Sequence, residues 1–128
     1  MSVFICSLGI MGRRHLIGAL QAGLAVVAYD PSEDSITKSK EAIEKSGLAN
    51  SSVQFLKQFP EQQGFDIAIF AETADFRKDN FIRFTQKNKA KRIMLEKPVA
   101  RSQSDFDQVA KVAYELKISG VEIFVNFP

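Results

Sequence analysis

The sequence Ser7-Leu8-Gly9-Ile10-Met11-Gly12 links an apolar run to a stretch with helical periodicity, and the fold follows from that junction. A strand that turns tightly into a helix, and lets its backbone approach a pyrophosphate, needs residues with little or no side chain. Gly9 and Gly12 fill two positions of the pattern G-x-G-x-x-G, and Ser7 replaces its first glycine. The stretch predicts a phosphate-binding turn; the alternative is a tight turn that binds nothing.

Length and composition describe one ordinary globular domain. The chain has 128 residues, of which 45% are hydrophobic and 25% are charged. Seventeen basic and fifteen acidic residues leave a net charge of +2, which does not indicate a nucleic-acid-binding surface. The sequence has no signal-peptide pattern, and no apolar run approaches the roughly 20 residues needed to cross a bilayer. We therefore expect a soluble, cytoplasmic protein without membrane or nucleic-acid partners.

Cysteine and histidine each occur once, as Cys6 and His15. Cys6 lies in the first apolar run and is expected to be a small buried hydrophobe. His15 falls inside the first predicted helix, where a packing or capping role is a better interpretation than catalysis. The sequence therefore predicts neither a metal site nor a Cys-His nucleophile pair.

Strand-like and helix-like segments alternate along the chain. Short apolar runs, several of them β-branched, predict buried strands at residues 3–8, 24–29, 53–56, 65–71, 93–95 and 121–127. The first helix begins near Met11 and ends at Gly23, and the second runs from an N-cap at Ser32 through Lys45 to Gly47.

The two remaining helices are predicted from their apolar spacing. In the third helix, Phe76, Phe81 and Phe84 are expected on the inner face, and the basic patch at 87–92 is expected to form the helix end. In the fourth, Ser102 and Asp105 resemble a capping box. Its apolar stripe is predicted to contain Phe106, Val109, Ala110, Ala113 and Leu116, and the helix ends at Gly120.

This order of elements predicts an α/β fold. Strands that alternate with helices form a mostly parallel sheet, because parallel neighbours need a crossover connection. The prediction is a Rossmann-like, doubly wound parallel sheet of six strands with helices on both faces, built from residues 1–128 as one domain. In such a sheet, ligands bind beyond the carboxyl ends of the strands.

The second strand ends at Asp30, eighteen residues after Gly12. An acidic residue at this place can accept hydrogen bonds from both ribose hydroxyls of an adenosine, and it repels a 2′-phosphate. Asp30 thus favours NAD over NADP, although an Asp-Pro pair also serves to end a strand or cap a helix.

Polar residues also follow the fourth and fifth strands. Ala71, Glu72 and Thr73 can border the nicotinamide ribose, although helix capping by Thr73 explains the same sequence without a ligand. Glu96 and Lys97 follow the fifth strand and face the same crevice. Lys97 is the candidate catalytic residue, because a lysine there can hydrogen-bond a substrate hydroxyl and help move its proton as hydride leaves the adjacent carbon.

Five segments together resemble the nucleotide-binding half of the Gfo/Idh/MocA oxidoreductases: SLGIMGRRHL, YD, AETAD, LEKPVA and VEIFVNFP. The resemblance covers essentially the whole chain. It implies cofactor binding by the turn residues Ser7, Gly9, Ile10, Met11 and Gly12 together with Asp30, and it places Lys97 close to the transferred hydride. The chain departs from the family pattern at Ser7, at Thr73, where proline is frequent, and at Arg77, where histidine is common.

The resemblance further implies an NAD-dependent dehydrogenase acting on a sugar or polyol derivative. Family members continue into a second domain that forms most of the substrate-binding wall and the usual dimer interface. The 128 residues are therefore expected to be a dinucleotide-binding domain that does not turn over substrate alone and forms part of a possible homo-oligomer. The alternative is a stand-alone module that senses NAD(H) without chemistry and does not depend on Lys97.

Overall fold

A computed structural model describes residues 1–49 and 51–126, which form a six-stranded sheet and four helices. The elements are β1 (Ser2–Cys6), α1 (Ile10–Gln21), β2 (Ala25–Tyr29), α2 (Glu33–Lys45), β3 (Val53–Leu56), β4 (Gly64–Phe70), α3 (Ala74–Lys87), β5 (Lys89–Glu96), α4 (Gln103–Ile118) and β6 (Glu122–Asn126).

The sheet has the strand order β3-β2-β1-β4-β5-β6, and all five neighbouring pairs are parallel. The chain builds outward from β1 to β3, crosses back to place β4 beside β1, and then continues outward to β6. This reversal next to β1 is the topological switch point of a doubly wound sheet. The predicted Rossmann-like fold is confirmed.

The two faces of the sheet have different cores. Under α3 and α4 the core is rich in phenylalanine, and the Phe4 ring lies 5.2 Å from that of Phe84 and 5.3 Å from that of Phe65, centroid to centroid. Under α1 and α2 the core is aliphatic and includes Leu16 and Ile36. Helices therefore cover both faces, as predicted, because each face presents apolar side chains that need a partner layer.

The inner faces of α3 and α4 were partly predicted wrongly. Phe81 and Phe84 are buried, but Phe76 is 63% exposed, because Phe76 lies five positions before Phe81, a spacing that turns it away from the inner face of the helix. Arg77 takes the inner position instead and is only 2% exposed. The predicted stripe of α4 is likewise wrong at two positions, since Phe106 and Ala110 are both exposed.

Strand boundaries also differ from the prediction. The fifth strand begins at Lys89 rather than at residue 93, so most of the basic patch lies in β5 and not at the end of α3. The backbone of Lys89 and Ala90 pairs with β4, and the charged side chains of this stretch stay exposed at the start of the strand. β1 and β4 end at Cys6 and Phe70, earlier than predicted, and the predicted end of the sixth strand at 127 lies outside the described residues.

The predicted helix caps at Ser32 and Ser102 are confirmed: each hydroxyl accepts a hydrogen bond from the backbone N–H three residues later, at 3.2 and 3.1 Å. Across residues 1–49 and 51–126, none of the helices combines the length and apolar character needed to cross a membrane.

Candidate functional site

The carboxyl ends of β1, β2, β4 and β5 form one row. Cys6 pairs with Tyr29 on one side and with Phe70 on the other, and Phe70 pairs with Leu95. The next position along this row is therefore at the same edge of the sheet: Ser7, Asp30 and Ala71 directly follow β1, β2 and β4, and Glu96 is the last residue of β5. The strand register thus brings together the segments that the sequence selected as candidate site residues.

The turn after β1 is held by backbone contacts. Ser7 has φ +81°, the left-handed region that favours glycine, and its N–H donates to the Tyr29 carbonyl at 2.8 Å. A Cβ added to Gly12 would lie 1.9 Å from the Ser7 carbonyl oxygen, so this position requires glycine. The turn therefore has the tight geometry predicted from the sequence, although its first position carries a Cβ.

Gly9 is the N-cap of α1 and faces open space. Among the described residues other than its chain neighbours Leu8 and Ile10, no heavy atom lies within 4 Å of a Cβ built at Gly9. A glycine N-cap has no side chain to accept from the N–H groups of the first helical turn, and that turn contains no acidic residue. Ile10 and Met11 are 68% and 37% exposed beside it. The N-terminus of α1 thus presents donors and a positive dipole end into a space that an anion can fill.

Two arginines follow this turn, and they differ in position. The Arg13 guanidinium donates from Nη1 to the Leu8 carbonyl oxygen at 3.1 Å, so this side chain stabilises the turn. Arg14 is exposed on the outer face of α1. A positive charge at the rim of the turn is available from Arg14 without breaking a contact of the turn.

Asp30 ties the turn to the start of α2. Its Oδ2 accepts from the Leu8 N–H at 2.8 Å and its Oδ1 accepts from the Ser32 N–H at 2.9 Å, while the residue is only 7% exposed. Each carboxylate oxygen can accept a second hydrogen bond. Close by, Glu33 in the first turn of α2 forms an ion pair with Lys57, which follows β3. A second acidic residue therefore follows Asp30 three positions later, at the start of α2.

The loop after β4 contains a buried ion pair. The Glu72 side chain is turned inward, where its carboxylate accepts from Arg77 Nε and from Asn80 Nδ2, each at 3.2 Å. Burial raises the pKa of Glu72 above its ordinary value, and the hydrogen bonds and the Arg77 charge offset this only in part. Burial likewise raises the pKa of the nearby Cys6 thiol, well above its usual range.

The neighbours of Glu72 in this loop are more accessible. Ala71 is half-buried, and its N–H donates to the Cys6 carbonyl at 3.0 Å. Thr73 is exposed and is the N-cap of α3 by position, but its side chain makes no capping hydrogen bond. The alternative interpretation, in which the Thr73 side chain caps the helix, is therefore not supported by a hydrogen bond. Ala71 and Thr73 are open to a ligand through backbone or side-chain atoms, whereas the carboxylate of Glu72 is engaged inside the domain.

The end of β5 is connected to α1 and to β6 through Glu96. The Glu96 carboxylate accepts from His15 Nε2 at 2.5 Å and from Asn126 Nδ2 at 2.9 Å. Burial acts to raise the pKa of Glu96, but these two hydrogen bonds, together with the charges of His15 and Arg77, hold its pKa below the ordinary value. His15 is thus a hydrogen-bond partner of Glu96 at the site edge, whereas the sequence indicated only a packing or capping residue.

Lys97 is exposed at the same edge, directly after Glu96. The peptide bond between Lys97 and Pro98 is cis. The buried guanidinium of Arg77 donates a hydrogen bond from Nη1 to the Pro98 carbonyl. Lys97 therefore projects from a segment that is held by contacts on both of its sides.

The sequence reasoning missed three residues at this edge: His15 as a partner of Glu96, Asn126, and Arg77. For Arg77 a signal existed, since the position departs from the family pattern. A separate groove of about 900 Å³ opens at the opposite edge of the sheet, between the C-terminal ends of α3 and α4, and the candidate site residues do not line it. Within residues 1–49 and 51–126, no cluster of His, Cys, Asp and Glu side chains is arranged to hold a metal ion.

The fold and this edge define a class: the chain is an α/β domain of the Rossmann type, with a glycine turn at the first strand and an acidic residue at the end of the second. No protein-family model and no curated protein matches the chain. Solved structures do match it, and several of them are dehydrogenases.

Myo-inositol dehydrogenase from Lactobacillus casei, in complex with NAD(H) and myo-inositol, has a TM-score of 0.70 and 19% identity, covering 98% of this chain and 36% of that one. GenD2 from gentamicin A biosynthesis, in complex with NAD, has a TM-score of 0.67 and 18% identity, covering 98% and 34%. The WlbA dehydrogenase from Bordetella pertussis, in complex with NADH and UDP-GlcNAcA, has a TM-score of 0.65 and 20% identity, covering 98% and 36%.

These three proteins contain NAD-binding domains of the Gfo/Idh/MocA type, so the resemblance stated from the sequence is confirmed as a similarity of fold. The chain spans about a third of the length of each of these structures.

Proposed function

We propose that this chain is the NAD-binding domain of an oxidoreductase that transfers a hydride between a nicotinamide cofactor and a sugar or polyol derivative. The observation that carries the proposal is the N-terminus of α1, where Gly9 leaves open space in front of a helix end without a side-chain cap. A pyrophosphate fits this space, because the helix end supplies N–H donors and a favourable dipole.

The end of β2 supports NAD rather than NADP. Asp30 keeps acceptor capacity for the ribose hydroxyls on both of its oxygens, and Glu33 adds a second carboxylate a few residues on. A 2′-phosphate placed here would meet two negative groups, of which Glu33 is partly compensated by Lys57. We therefore expect weaker binding of NADP than of NAD.

At the other end of the row, we propose that Ala71, Thr73 and Lys97 border the nicotinamide ribose. When bound, NAD supplies the hydride-accepting carbon. Lys97 is the proposed catalytic residue: during oxidation its amine at Nζ accepts the proton of the substrate hydroxyl and becomes an ammonium, and during reduction that ammonium returns the proton. In this proposal Glu96 lies on the inner side of Lys97, where its carboxylate accepts hydrogen bonds from His15 and Asn126.

The relatives support the cofactor and the substrate class. The three structures were obtained with NAD, NADH or NAD(H), and two of them also contain myo-inositol or a UDP-sugar acid. We propose that residues 1–128 supply the dinucleotide-binding part, that polypeptide outside these residues supplies most of the substrate contacts, and that the whole protein is a homo-oligomer.

Titration of NADH and NADPH against the 128-residue chain tests the proposal. The sequence contains no tryptophan, so the emission of bound NADH can be followed without interference from the protein. We expect NADH to bind at least about tenfold more tightly than NADPH. The two carboxylates repel the 2′-phosphate of NADPH, and a difference of about 1.4 kcal/mol in binding free energy is a factor of ten in affinity. Absence of NADH binding would overturn the proposal, and a preference for NADPH would overturn the role of Asp30.

Two glycines of α1 provide a matched pair of variants. Gly9 and Gly18 both face open space, but only Gly9 lies at the proposed pyrophosphate position. Gly9→Ala is expected to weaken NADH binding by about tenfold or more while the fold is kept, because its methyl group occupies the phosphate approach. Gly18→Ala is expected to leave the affinity unchanged. Equal effects of the two substitutions would argue against a pyrophosphate at this turn.

A further inference from the structure

Arg77 is a buried arginine that the proposed function leaves without a role. It lies in the first turns of α3 and is 2% exposed. Its guanidinium donates from Nε to the Glu72 carboxylate at 3.2 Å, from Nη2 to the Glu72 carbonyl, and from Nη1 to the Pro98 carbonyl. One side chain thus binds the loop that follows β4 and the segment that follows β5.

We propose that Arg77 is a positioning residue, which fixes the segment carrying Lys97 relative to the loop at Glu72 and so acts on the site through Lys97. This inference rests on the proposed function, in which both loops border the nicotinamide. Its geometric basis is the pair of backbone carbonyls, one from each loop, that a single guanidinium bridges.

The chemistry of arginine suits this task better than that of lysine. A guanidinium is planar and presents five donors in a fixed fork, so it can hold two carbonyls and a carboxylate at once. An ammonium in the same place can keep the charge pair with Glu72, but its shorter reach and single nitrogen cannot hold both loops. The Glu72 carboxylate, which Asn80 also binds, is the counter-ion that allows the charge of Arg77 to be buried.

A purely structural ion pair is the competing explanation, and it accounts for less of the geometry. A buried pair gains little net stability, because desolvation offsets most of the Coulomb attraction. It also gives no reason why two of the three contacts go to backbone carbonyls of different loops. The bridging of the two loops accounts for those contacts directly.

The test uses Arg77→Lys, with Arg83→Lys as the matched control. Arg83 lies on the same helix, is exposed, and stacks on the Phe59 ring at 4.6 Å, away from both loops. Hydrogen exchange of the amides in 97–101 is compared with that of the amides in β2. We expect exchange in 97–101 to accelerate about tenfold in Arg77→Lys, as for the loss of one hydrogen bond, with β2 unchanged in both variants.

A double-mutant cycle on NADH affinity separates positioning from general stability. If Arg77 acts through Lys97, Arg77→Lys weakens NADH binding by about fivefold in the natural background and less than about twofold in a Lys97→Ala background. An equal loss in both backgrounds overturns the proposal. So does unchanged exchange in 97–101 in a folded variant, or an acceleration that is the same in β2.

The test remains decisive if the Arg77 variant does not fold or if the natural chain does not bind NADH. If Arg77→Lys does not fold, the pair Arg77→Met with Glu72→Gln removes both charges together, avoids an unpaired buried charge, and carries the same comparisons. If NADH does not bind to the natural chain, the proposed function fails, but the exchange comparison still decides whether Arg77 holds the segment of Lys97.

Discussion

Replacing Ser7 with glycine is expected to stabilise the domain. Ser7 has φ +81°, and a residue with a Cβ pays roughly 1–2 kcal/mol in the left-handed region. Glycine avoids this cost but loses more backbone entropy on folding, about 0.5–1 kcal/mol. The difference is a net gain of about 0–1.5 kcal/mol with a midpoint of about 0.75 kcal/mol, and for a chain of this length the midpoint raises the Tm by about 2–4 °C.

The backbone at Ser7 cannot relax to avoid this conformation. Its N–H is bound to the Tyr29 carbonyl at 2.8 Å, and its own carbonyl lies against the glycine at position 12. The strain therefore persists in any variant that keeps a Cβ at residue 7. Ser7→Ala is the control for this reason, because it removes the hydroxyl and retains the Cβ.

Urea unfolding followed by far-UV circular dichroism measures the effect, since the chain has no tryptophan for fluorescence. The expected order of stability is Ser7→Gly above the natural chain, with Ser7→Ala no more stable than the natural chain. If Ser7→Gly is no more stable than Ser7→Ala, the left-handed conformation carries no cost at this turn and the reasoning is refuted.

Three further outcomes follow from contacts already described. Gly12→Ala is expected to cost about 3 kcal/mol or more, or to prevent folding, because its Cβ would lie 1.9 Å from the Ser7 oxygen; circular dichroism of the purified variant checks this. Glu96→Gln is expected to be less stable than the natural chain at pH 7. The lowered pKa of Glu96 makes its ionised form a stabilising group above its unfolded pKa near 4.5, and this stability is lost as the pH falls through the folded pKa. Urea unfolding at pH 7 and pH 3 should show the difference shrink in acid, and a difference that stays constant would contradict the Glu96 contacts. Phe84→Ala is expected to cost about 3–5 kcal/mol in the same assay, because Phe84 is 1% exposed and stacks on Phe4; a cost below about 1 kcal/mol would contradict this packing.

The order of strands and helices could be predicted because each element carries its own local pattern. The apolar runs mark the strands, and Ser32 and Ser102 mark helix starts by the spacing of their capping partners. The strand order then follows from the crossover rules, which leave few topologies for an alternating chain. The start of β5 was missed because lysine and arginine occupy it, and the pairing with β4 lies in the backbone rather than in the side chains.

The contacts within the candidate site could be predicted much less well. His15 and Glu96 are 81 residues apart, and nothing in the sequence around either residue indicates the other. Arg77 lies in a helix of ordinary composition, and its burial depends on the helical phase that also exposes Phe76. Strand ends can be aligned from sequence, but the side-chain pairs between them depend on the folded arrangement of distant segments.

Under the proposed function, the hydrogen bonds of Asp30 limit how cofactor preference can change in this protein. In dinucleotide-binding folds of this type, the acidic residue at the end of β2 favours NAD, and an arginine nearby accommodates the 2′-phosphate of NADP. Here that carboxylate also fastens the glycine turn through Leu8 and the start of α2 through Ser32. A change of preference therefore requires a compensating substitution that restores these backbone contacts, so selection on the cofactor and selection on folding act on the same side chain.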